Sequence, residues 1–235
     1  MRIELRELVL ERPGGIRAID GITCRFDTAC CPAVAILGAN GAGKSTLLES
    51  IPGLVPIASG SILVDAMAVE KRNLTAIRAK VGMIFQNSDD QLFSHTVGED
   101  VAFGPRNLKL APELVQERVR EALQQMGIAS LAGRDVARLS GGEKRRAALA
   151  GVLAMKPEAI LLDEPTSMLD PRACRELAEC LKALPALKLI ATHDLAFAAR
   201  VCPECLILKN GRMAARGETA VLLQQHDLLE ECGLE

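Results

Sequence analysis

Short apolar runs recur along the chain, and stretches with helical periodicity separate each run from the next. The runs lie at residues 33–37, 81–85, 159–163 and 187–191. Apolar runs of this length, bounded by turn-forming residues, are typical of strands buried on both faces of a parallel sheet. The pattern therefore predicts a doubly wound α/β fold, in which helices cross between parallel strands.

Two other segments have the pattern of antiparallel strands. Residues 2–9 alternate charged and apolar side chains, which predicts a half-exposed strand. Asn210-Gly211 lies between the apolar runs 206–208 and 213–215, and this dipeptide favours the tight turn of a β-hairpin. We therefore expect antiparallel strands beside the parallel sheet.

The stretch from 87 to 155 lacks strand-like runs in its sequence. Pro112 opens a helical pattern that Gly127 closes, and another helix is predicted to begin near Glu143. We interpret this stretch as a helical subdomain inserted into the α/β core. The predicted organisation is one domain, 1–235, made of a core with an antiparallel β subdomain (1–86 and 156–218), a helical subdomain (87–155) and a C-terminal helical tail (219–235).

Composition narrows the class of protein. The chain has 235 residues, 49% of them hydrophobic, but only 2% aromatic with no Trp and no Tyr, so we expect an aliphatic core. Its net charge of -2 gives no basic surface for nucleic acid. No apolar run approaches the roughly 18 residues of a membrane span, and the first residues lack a signal-peptide pattern. We therefore expect a cytoplasmic chain that is soluble or held at a membrane by a partner.

The first apolar run is followed by a complete phosphate-binding loop with the pattern Gly-x4-Gly-Lys-Ser. Its glycines let backbone N–H groups surround phosphate oxygens. Lys44 is predicted to bind the β- and γ-phosphates, and Ser45 to supply a hydroxyl to Mg²⁺. A glycine-rich turn without a ligand is the alternative, which the strand–loop–helix context disfavours. The predicted nucleotide-binding residues here are Gly38, Asn40, Gly41, Ala42, Gly43, Lys44, Ser45 and Thr46.

The apolar run 159–163 ends in two carboxylates, Asp163 and Glu164. Ligands of doubly wound sheets bind at the carboxyl ends of the strands. Asp163 is therefore predicted to reach Mg²⁺, and Glu164 to act as the base that polarises the attacking water. A solvated acidic pair is the alternative, and the phosphate loop disfavours it.

Eight cysteines suggest disulfides, but a nucleotide-binding cytosolic chain favours reduced thiols. Cys202 and Cys205 have C-x-x-C spacing, yet no second pair or nearby histidine completes a metal site. We therefore predict packing rather than a metal or redox role for both. Cys30-Cys31 is predicted to pack at a strand edge, and His95 and His226 are interpreted as ordinary surface histidines.

The segment 139–143, Leu-Ser-Gly-Gly-Glu, places a serine N-cap and two glycines at a predicted helix start. Alone it describes an ordinary capped helix. Together with the two nucleotide motifs it resembles the signature of ABC-type ATPases, and the resemblance covers nearly the whole chain. It implies a P-loop NTPase (RecA-like) fold that uses ATP and Mg²⁺. It also implies a head-to-tail dimer, in which Ser140, Gly141 and Gly142 of one subunit close on the γ-phosphate held by the other.

Three further segments match this family. Gln86 resembles the Q-loop residue that senses Mg²⁺ and water. Ser167 to Asp170 resembles the D-loop at the dimer interface. His193 resembles the switch histidine that contacts the γ-phosphate, although a histidine at a strand end is more often structural when nothing else is known. The resemblance therefore implies the catalytic residues Lys44, Gln86, Glu164 and His193, and the metal-binding residues Ser45, Gln86 and Asp163.

Two positions depart from the family pattern. The aromatic residue that stacks on adenine in the family aligns with Arg12, and a guanidinium can stack on a base in its place. Arg12 is therefore included among the predicted nucleotide-binding residues. Met168 stands where the D-loop commonly has a small residue.

The segments 86–93, 96–105 and 139–155 resemble the ATPases of energy-coupling-factor importers, which take up cobalt, nickel or vitamins. This implies an ATP-hydrolysing motor at the cytoplasmic face of the cell membrane, with a transmembrane coupling protein and a substrate-binding membrane subunit as partners. A short single ATPase favours a homodimer in a cobalt or nickel importer over a vitamin system with two different ATPases. Another ABC transporter, possibly an exporter, and a non-transport ABC protein acting on DNA or ribosomes are the alternatives.

Overall fold

Strands and helices alternate along the chain in the computed structural model, which describes residues 1–87 and 90–234. The strands are β1 (Arg2–Arg12), β2 (Ile16–Asp27), β3 (Ala33–Leu37), β4 (Ile57–Val64), β5 (Met67–Ala68), β6 (Val81–Ile84), β7 (Ala159–Asp163), β8 (Leu187–Ala191), β9 (Glu204–Lys209) and β10 (Arg212–Glu218). The helices are α1 (Lys44–Ser50), α2 (Leu74–Lys80), α3 (Val97–Asn107), α4 (Pro112–Gln125), α5 (Gly141–Leu153), α6 (Pro171–Ala183), α7 (Leu195–Val201), α8 (Thr219–Leu222) and α9 (His226–Glu231).

Three residues lie outside the described part of the chain: Ser88 and Asp89, in the segment 86–93 that resembles the energy-coupling-factor ATPases, and Glu235, in the predicted tail. Within the part that is described, no helix combines the length and apolar character needed to cross a bilayer.

The larger sheet has the strand order β10-β9-β3-β8-β7-β6. Strands β6, β7, β8, β3 and β9 are parallel, and β10 pairs antiparallel with β9. This confirms the predicted α/β class and the four predicted parallel strands, although β6 lies at the edge of the sheet and ends at Ile84, one residue earlier than predicted. Since the five strands other than β10 are parallel, their carboxyl ends meet at one edge of the sheet.

Strand β3 contributes side chains to two hydrophobic cores, one on each face of the larger sheet. Its odd-numbered residues, such as Ala35 and Leu37, join a core built with α5, α6 and α7. Its even-numbered residues, Val34 and Ile36, join a core built with α1 and the smaller sheet. The alternation follows from the two-residue period of a strand, and burial on both faces explains the continuous apolar run.

The smaller sheet is antiparallel, with the order β2-β1-β4-β5. Strand β1 includes the predicted strand 2–9 and continues to Arg12. Its pairing with β4 shifts register after Arg6, and there Gly60 adopts φ 79 against the main chain of Glu7. A Cβ atom on Gly60 would lie 2.2 Å from the Glu7 carbonyl oxygen, so only glycine fits this bulge.

The β9–β10 hairpin turns at Asn210-Gly211, as predicted, with φ 49 and φ 76. Positive φ at both central residues is what a type I′ turn requires. The Gly211 N–H donates to the Ala42 carbonyl at 3.2 Å, so the turn packs against the phosphate loop.

Helices α3, α4 and α5 pack on one another between β6 and β7 in the sequence. The described residues of this stretch form no strand, and only an isolated bridge joins Thr96 to Asp135. Helix α4 lies where the sequence places it, and α5 begins at Gly141, directly after the predicted N-cap Ser140 and two residues before the start near Glu143 that the helical pattern indicates. The earlier start follows from a capping box, in which Ser140 and Glu143 each bond the other's main-chain N–H.

Cys202 and Cys205 lie buried at the junction between α7 and β9. Burial raises the pKa of the Cys202 thiol to about 12, which keeps it protonated and unreactive at neutral pH. Cys31 is buried and its thiol donates to the Ala33 carbonyl, but Cys30 is exposed. The strand-edge packing prediction is therefore right for Cys31 and wrong for Cys30.

Candidate active site

The phosphate loop joins β3 to α1 through glycines in conformations that other residues avoid. Gly38 has φ 153 and Gly43 has φ 106. A Cβ atom on Gly43 would lie 2.4 Å from the Ala18 carbonyl oxygen, and one on Gly38 would lie 2.5 Å from the Leu208 carbonyl oxygen. Glycine at both positions therefore lets the loop pack directly on the main chain of β2 and β9.

Lys44 folds back over this loop. Its ammonium group donates to the carbonyl oxygens of Gly38 at 2.7 Å and Ala39 at 3.2 Å. The side chain is buried, and burial lowers the pKa of Lys44 while the nearby Glu164 and Asp163 carboxylates oppose that shift. The ammonium nitrogen lies 3.9 Å from Oε1 of Glu164, which places the cation between the phosphate loop and the end of β7.

Asp163 presents an unpartnered oxygen at this edge of the sheet. The residue is buried, and its Oδ1 has no hydrogen-bond partner among the described residues. Burial raises the pKa of Asp163, an effect that a hydrogen bond from Ser45 opposes. A buried carboxylate oxygen without a donor, next to a serine hydroxyl, matches the oxygen ligands that Mg²⁺ prefers. The residues present therefore fit the predicted metal ion.

Glu164 follows Asp163 in a left-handed conformation, with φ 44. For a residue other than glycine, such a conformation costs about 1–3 kcal/mol and is common at functional sites. The buried carboxylate accepts a hydrogen bond from the Thr192 hydroxyl at 3.2 Å, and its Oε2 lies 3.0 Å from Nδ1 of His193. The Glu164 N–H donates to the Ala191 carbonyl at 2.8 Å, which ties this turn to the end of β8.

His193 is brought to Glu164 because β7 and β8 are parallel neighbours whose carboxyl ends coincide. Its side chain is 69% exposed, whereas that of Glu164 is 8% exposed. The histidine therefore covers the buried carboxylate from the solvent side. The two residues are in contact, as the sequence-based role assigned to His193 requires.

Arg145 is a part of the site that sequence reasoning missed. In the sequence it is one member of the basic run Lys144-Arg145-Arg146, which is typical of a solvated surface, yet it is only 2% exposed. Its Nε, Nη1 and Nη2 groups bond main-chain carbonyls at the ends of β6 and β7. Burial lowers the pKa of Arg145 to about 10, so it remains a cation at neutral pH. The only local signal in the sequence is that Arg145 lies two positions before the apolar run that begins at Ala147 on α5.

Several other residues singled out from the sequence lie on the surface around this centre. Gln86 is exposed, and its carbonyl oxygen accepts a bond from Arg145 at 3.2 Å. Ser140 and Gly141 are exposed at the start of α5, with open space beside Gly141. Met168 is 89% exposed and has φ 63. These groups face solvent, as residues that act across a subunit interface must in an isolated chain.

Comparison with known proteins places this geometry in a family. Residues 24–167 match the family described as ABC transporter. The protein GSU1281 of Geobacter sulfurreducens, named as an ABC transporter ATP-binding protein, is 44% identical over 233 residues, which cover 99% of this chain and 93% of that protein. The energy-coupling factor transporter ATP-binding protein EcfA of Methanothermobacter thermautotrophicus is 41% identical over 237 residues, which cover 99% of this chain and 76% of that protein.

A solved structure is similar over nearly the same length. It is cbiO1 from Clostridium perfringens, described as part of the ABC transporter complex cbiONQ. The TM-score is 0.85 at 34% sequence identity, and the match covers 99% of this chain and 94% of that one.

Proposed function

This chain belongs to the ABC transporter family and is an ATPase subunit of a transporter, and we propose that it is the motor of an energy-coupling-factor importer. The proposed mechanism of ATP hydrolysis rests on one observation. The side chains of Lys44, Glu164 and His193 lie close together at the carboxyl ends of the parallel strands. Similarity to an EcfA protein and to cbiO1 supports the importer subtype.

ATP hydrolysis follows from the roles that this geometry allows. The loop amides and Lys44 bind the β- and γ-phosphates and stabilise the charge that develops there. Glu164, held by Thr192 and His193, orients and polarises the attacking water. Mg²⁺, when held by Ser45, Asp163 and Gln86, would neutralise charge on the β- and γ-phosphate oxygens.

The active site is proposed to be completed by a second copy of the chain. Ser140, Gly141 and Gly142 would supply a serine hydroxyl and helix N-terminal amides to the γ-phosphate bound by the partner subunit. The exposure of Ser140 and Gly141 and the open space beside Gly141 support this role. Met168 in the proposed D-loop is exposed on the same chain and would meet the partner in the closed dimer.

A groove beside Gln86 is the proposed docking site for the transmembrane coupling protein. The groove, of about 770 Å³, lies between β6 and helices α3 and α5. Phe93 and Phe103 line it, are 65% and 46% exposed, and contact edge to face with ring centroids 4.7 Å apart. Exposed aromatic residues over a groove are typical of interface hot spots. An apolar helix of a membrane subunit is the occupant we propose, because apolar side chains and two exposed aromatic rings line the groove.

We further propose that the chain acts at the cytoplasmic face of the cell membrane and that the importer carries cobalt or nickel. A substrate-binding membrane subunit would then hold the ion. The proposed division of labour assigns ATP binding to the core (1–86 and 156–218) and the signature to the helical subdomain (87–155), with the docking groove between the two. A vitamin importer with two different ATPases is the alternative within the same subtype.

The experiment that tests this proposal is recovery of partners of the tagged chain from detergent-solubilised membranes of the source cells. A small transmembrane coupling protein together with a substrate-binding membrane protein would support the importer subtype. The recovered complex, reconstituted in vesicles, should then accumulate cobalt or nickel only with ATP, and accumulation of a vitamin instead would correct the solute. A conventional transporter domain as partner would overturn the subtype. Recovery of no membrane protein would favour a non-transport ABC ATPase.

A further inference from the structure

Arg145 has one main-chain acceptor for each of its donors. A guanidinium carries five N–H groups. Nε donates to the Pro165 carbonyl at 3.2 Å, Nη2 donates to Asp163 and Glu164, and Nη1 donates to Phe85 and Gln86. Within the described part of the chain, no carboxylate lies within ion-pair distance of this guanidinium.

The five acceptors belong to two strand ends. The carbonyls of residues 163–165 lie at the end of β7, and those of residues 85–86 follow the edge strand β6. Four of the five lie beyond the last residue of their strand, and the fifth belongs to Asp163, the last residue of β7. Arg145 therefore satisfies them from α5, the helix that the proposed signature residues begin.

Glu164 lies at the centre of this arrangement. Its φ of 44 is a conformation that needs support from its surroundings. Nη2 of Arg145 bonds the carbonyls of Asp163 at 3.0 Å and Glu164 at 2.7 Å, one on each side of that torsion. The same torsion directs the Glu164 carboxylate toward Thr192 and His193.

We propose that Arg145 is a positioning residue, which holds the Glu164 main chain and the Gln86 carbonyl in one arrangement and thereby fixes the Glu164 carboxylate for water activation. This deepens the proposed function, because it rests on Glu164 as the base. The hydrogen bonds of Arg145 go to the main chain of residues 85–86 and 163–165 and not to the phosphate loop. Its loss should therefore slow the chemical step and leave ATP affinity unchanged.

The test compares Arg145→Met and Arg145→Lys in the full chain. Methionine removes every donor, and a misplaced reacting group costs about 10²-fold in rate, so kcat should fall by about 10²-fold. The ATP dissociation constant should stay within about threefold, since an interaction used only in the transition state affects kcat and not binding. Lysine keeps the charge but lacks the planar guanidinium with its five donors. The kcat of Arg145→Lys should therefore lie between that of Arg145→Met and that of the unchanged protein.

Lys188 supplies a matched control. It is also a cation with 2% exposure, and its ammonium group donates to the Leu184 carbonyl at 2.7 Å at the opposite end of the sheet. Lys188→Met should lower the melting temperature and leave kcat unchanged. If Arg145→Met does not fold, the test rests on Arg145→Lys. A kcat of Arg145→Lys equal to that of the unchanged protein would then overturn the proposal.

Parallel measurements on Arg145→Met and Glu164→Gln distinguish failure of the positioning role from failure of the role of Glu164. Equal losses of kcat and ATP affinity in Arg145→Met would mean that Arg145 merely stabilises the fold, and would overturn the proposal. Glu164→Gln is measured in parallel, and if it hydrolyses ATP at the normal rate, the role of Glu164 fails and with it the basis for positioning. Loss of hydrolysis in Glu164→Gln with normal kcat in Arg145→Met rejects the positioning role alone.

Discussion

The Arg12 guanidinium donates two hydrogen bonds to the Thr46 hydroxyl, from Nη2 at 2.9 Å and from Nε at 3.2 Å. Arg12 ends β1 of the smaller sheet, and Thr46 lies in the first turn of α1, directly after the phosphate loop. The bond therefore brings a cation from the antiparallel sheet to the rim of the proposed nucleotide site. Since the chain has no Trp and no Tyr, Arg12 is the side chain that we expect to meet the base.

Replacing Arg12 by an aromatic residue should strengthen nucleotide binding. Stacking of a base on an aromatic ring is worth about 1–3 kcal/mol, so Arg12→Tyr should tighten ATP binding by about tenfold. Arg12→Ala should weaken it, because it removes a cation near the nucleotide. Fluorescent-nucleotide titration measures both. Arg17→Ala, which removes an exposed arginine paired with Asp20, is the control and should leave the affinity unchanged.

Glu164→Gln should abolish hydrolysis while sparing ATP binding. A general base contributes about 10²–10⁴-fold to rate, and the amide cannot accept the proton of water. The variant should accumulate as an ATP-bound dimer in size-exclusion chromatography. Glu158→Gln, at the other end of β7 and paired with Lys80, should hydrolyse normally. Undiminished turnover by Glu164→Gln would remove this residue from the mechanism.

Ser140→Arg should block hydrolysis without weakening ATP binding to the isolated subunit. The bulky cation would obstruct closure on the partner's nucleotide, but the exchange also removes the N-cap of α5, which is worth about 0.5–2 kcal/mol. Thr96→Arg removes the equivalent capping box of α3 and serves as the matched control. It should lower the melting temperature comparably and retain hydrolysis. Loss of ATP binding in Ser140→Arg would contradict a role across the interface.

Asp163→Asn should stabilise the chain in the absence of nucleotide and Mg²⁺. Burial raises the pKa of Asp163, so the ionised carboxylate disfavours the folded state at neutral pH, and its removal should add about 1–2 kcal/mol to the free energy of unfolding. This gain should shrink as the pH falls through the folded-state pKa and vanish below the unfolded value, about 3.9. Urea unfolding of both proteins at a series of pH values measures this difference in the free energy of unfolding.

With ATP and Mg²⁺ present, the difference in the free energy of unfolding between Asp163→Asn and the unchanged protein should change sign. The unchanged chain should gain more stability from the ligand than Asp163→Asn does, because a ligand stabilises the state to which it binds more tightly. Equal ligand-induced shifts in the two proteins would argue against Asp163 as a metal ligand.

Phe103→Asp should release the membrane partner and spare the ATPase activity of the isolated chain. A buried aromatic anchor at an interface is worth about 2 kcal/mol or more, so recovery of the coupling protein should fall by at least about tenfold. Val221→Asp changes another exposed apolar residue, outside the groove, and should leave recovery unchanged. Equal recovery with Phe103→Asp would place the docking site elsewhere.

Much of the fold could be predicted from the sequence because its signals are local. The apolar runs of β3, β6, β7 and β8 are continuous because these strands are buried on both faces of the sheet. Asn210-Gly211 favours a tight turn by itself, because both residues readily adopt positive φ. The phosphate loop is also local, because its glycines allow the backbone conformations that a phosphate cradle needs. The exposure of Cys30 beside buried Cys31 was missed, since a run of two cysteines does not record which side faces the core.

The sequence by itself determined the class of fold, the order of the nucleotide motifs and the chemical types of residue available for phosphoryl transfer. Only the tertiary structure decided which of them meet. Arg145 reads as one member of a surface basic run, yet it bonds Phe85, 60 positions away, and Asp163, 18 positions away. Periodicity and turn chemistry act over a few residues, whereas a buried guanidinium depends on where two distant strands end. That meeting point is set by the packing of α5 on the sheet.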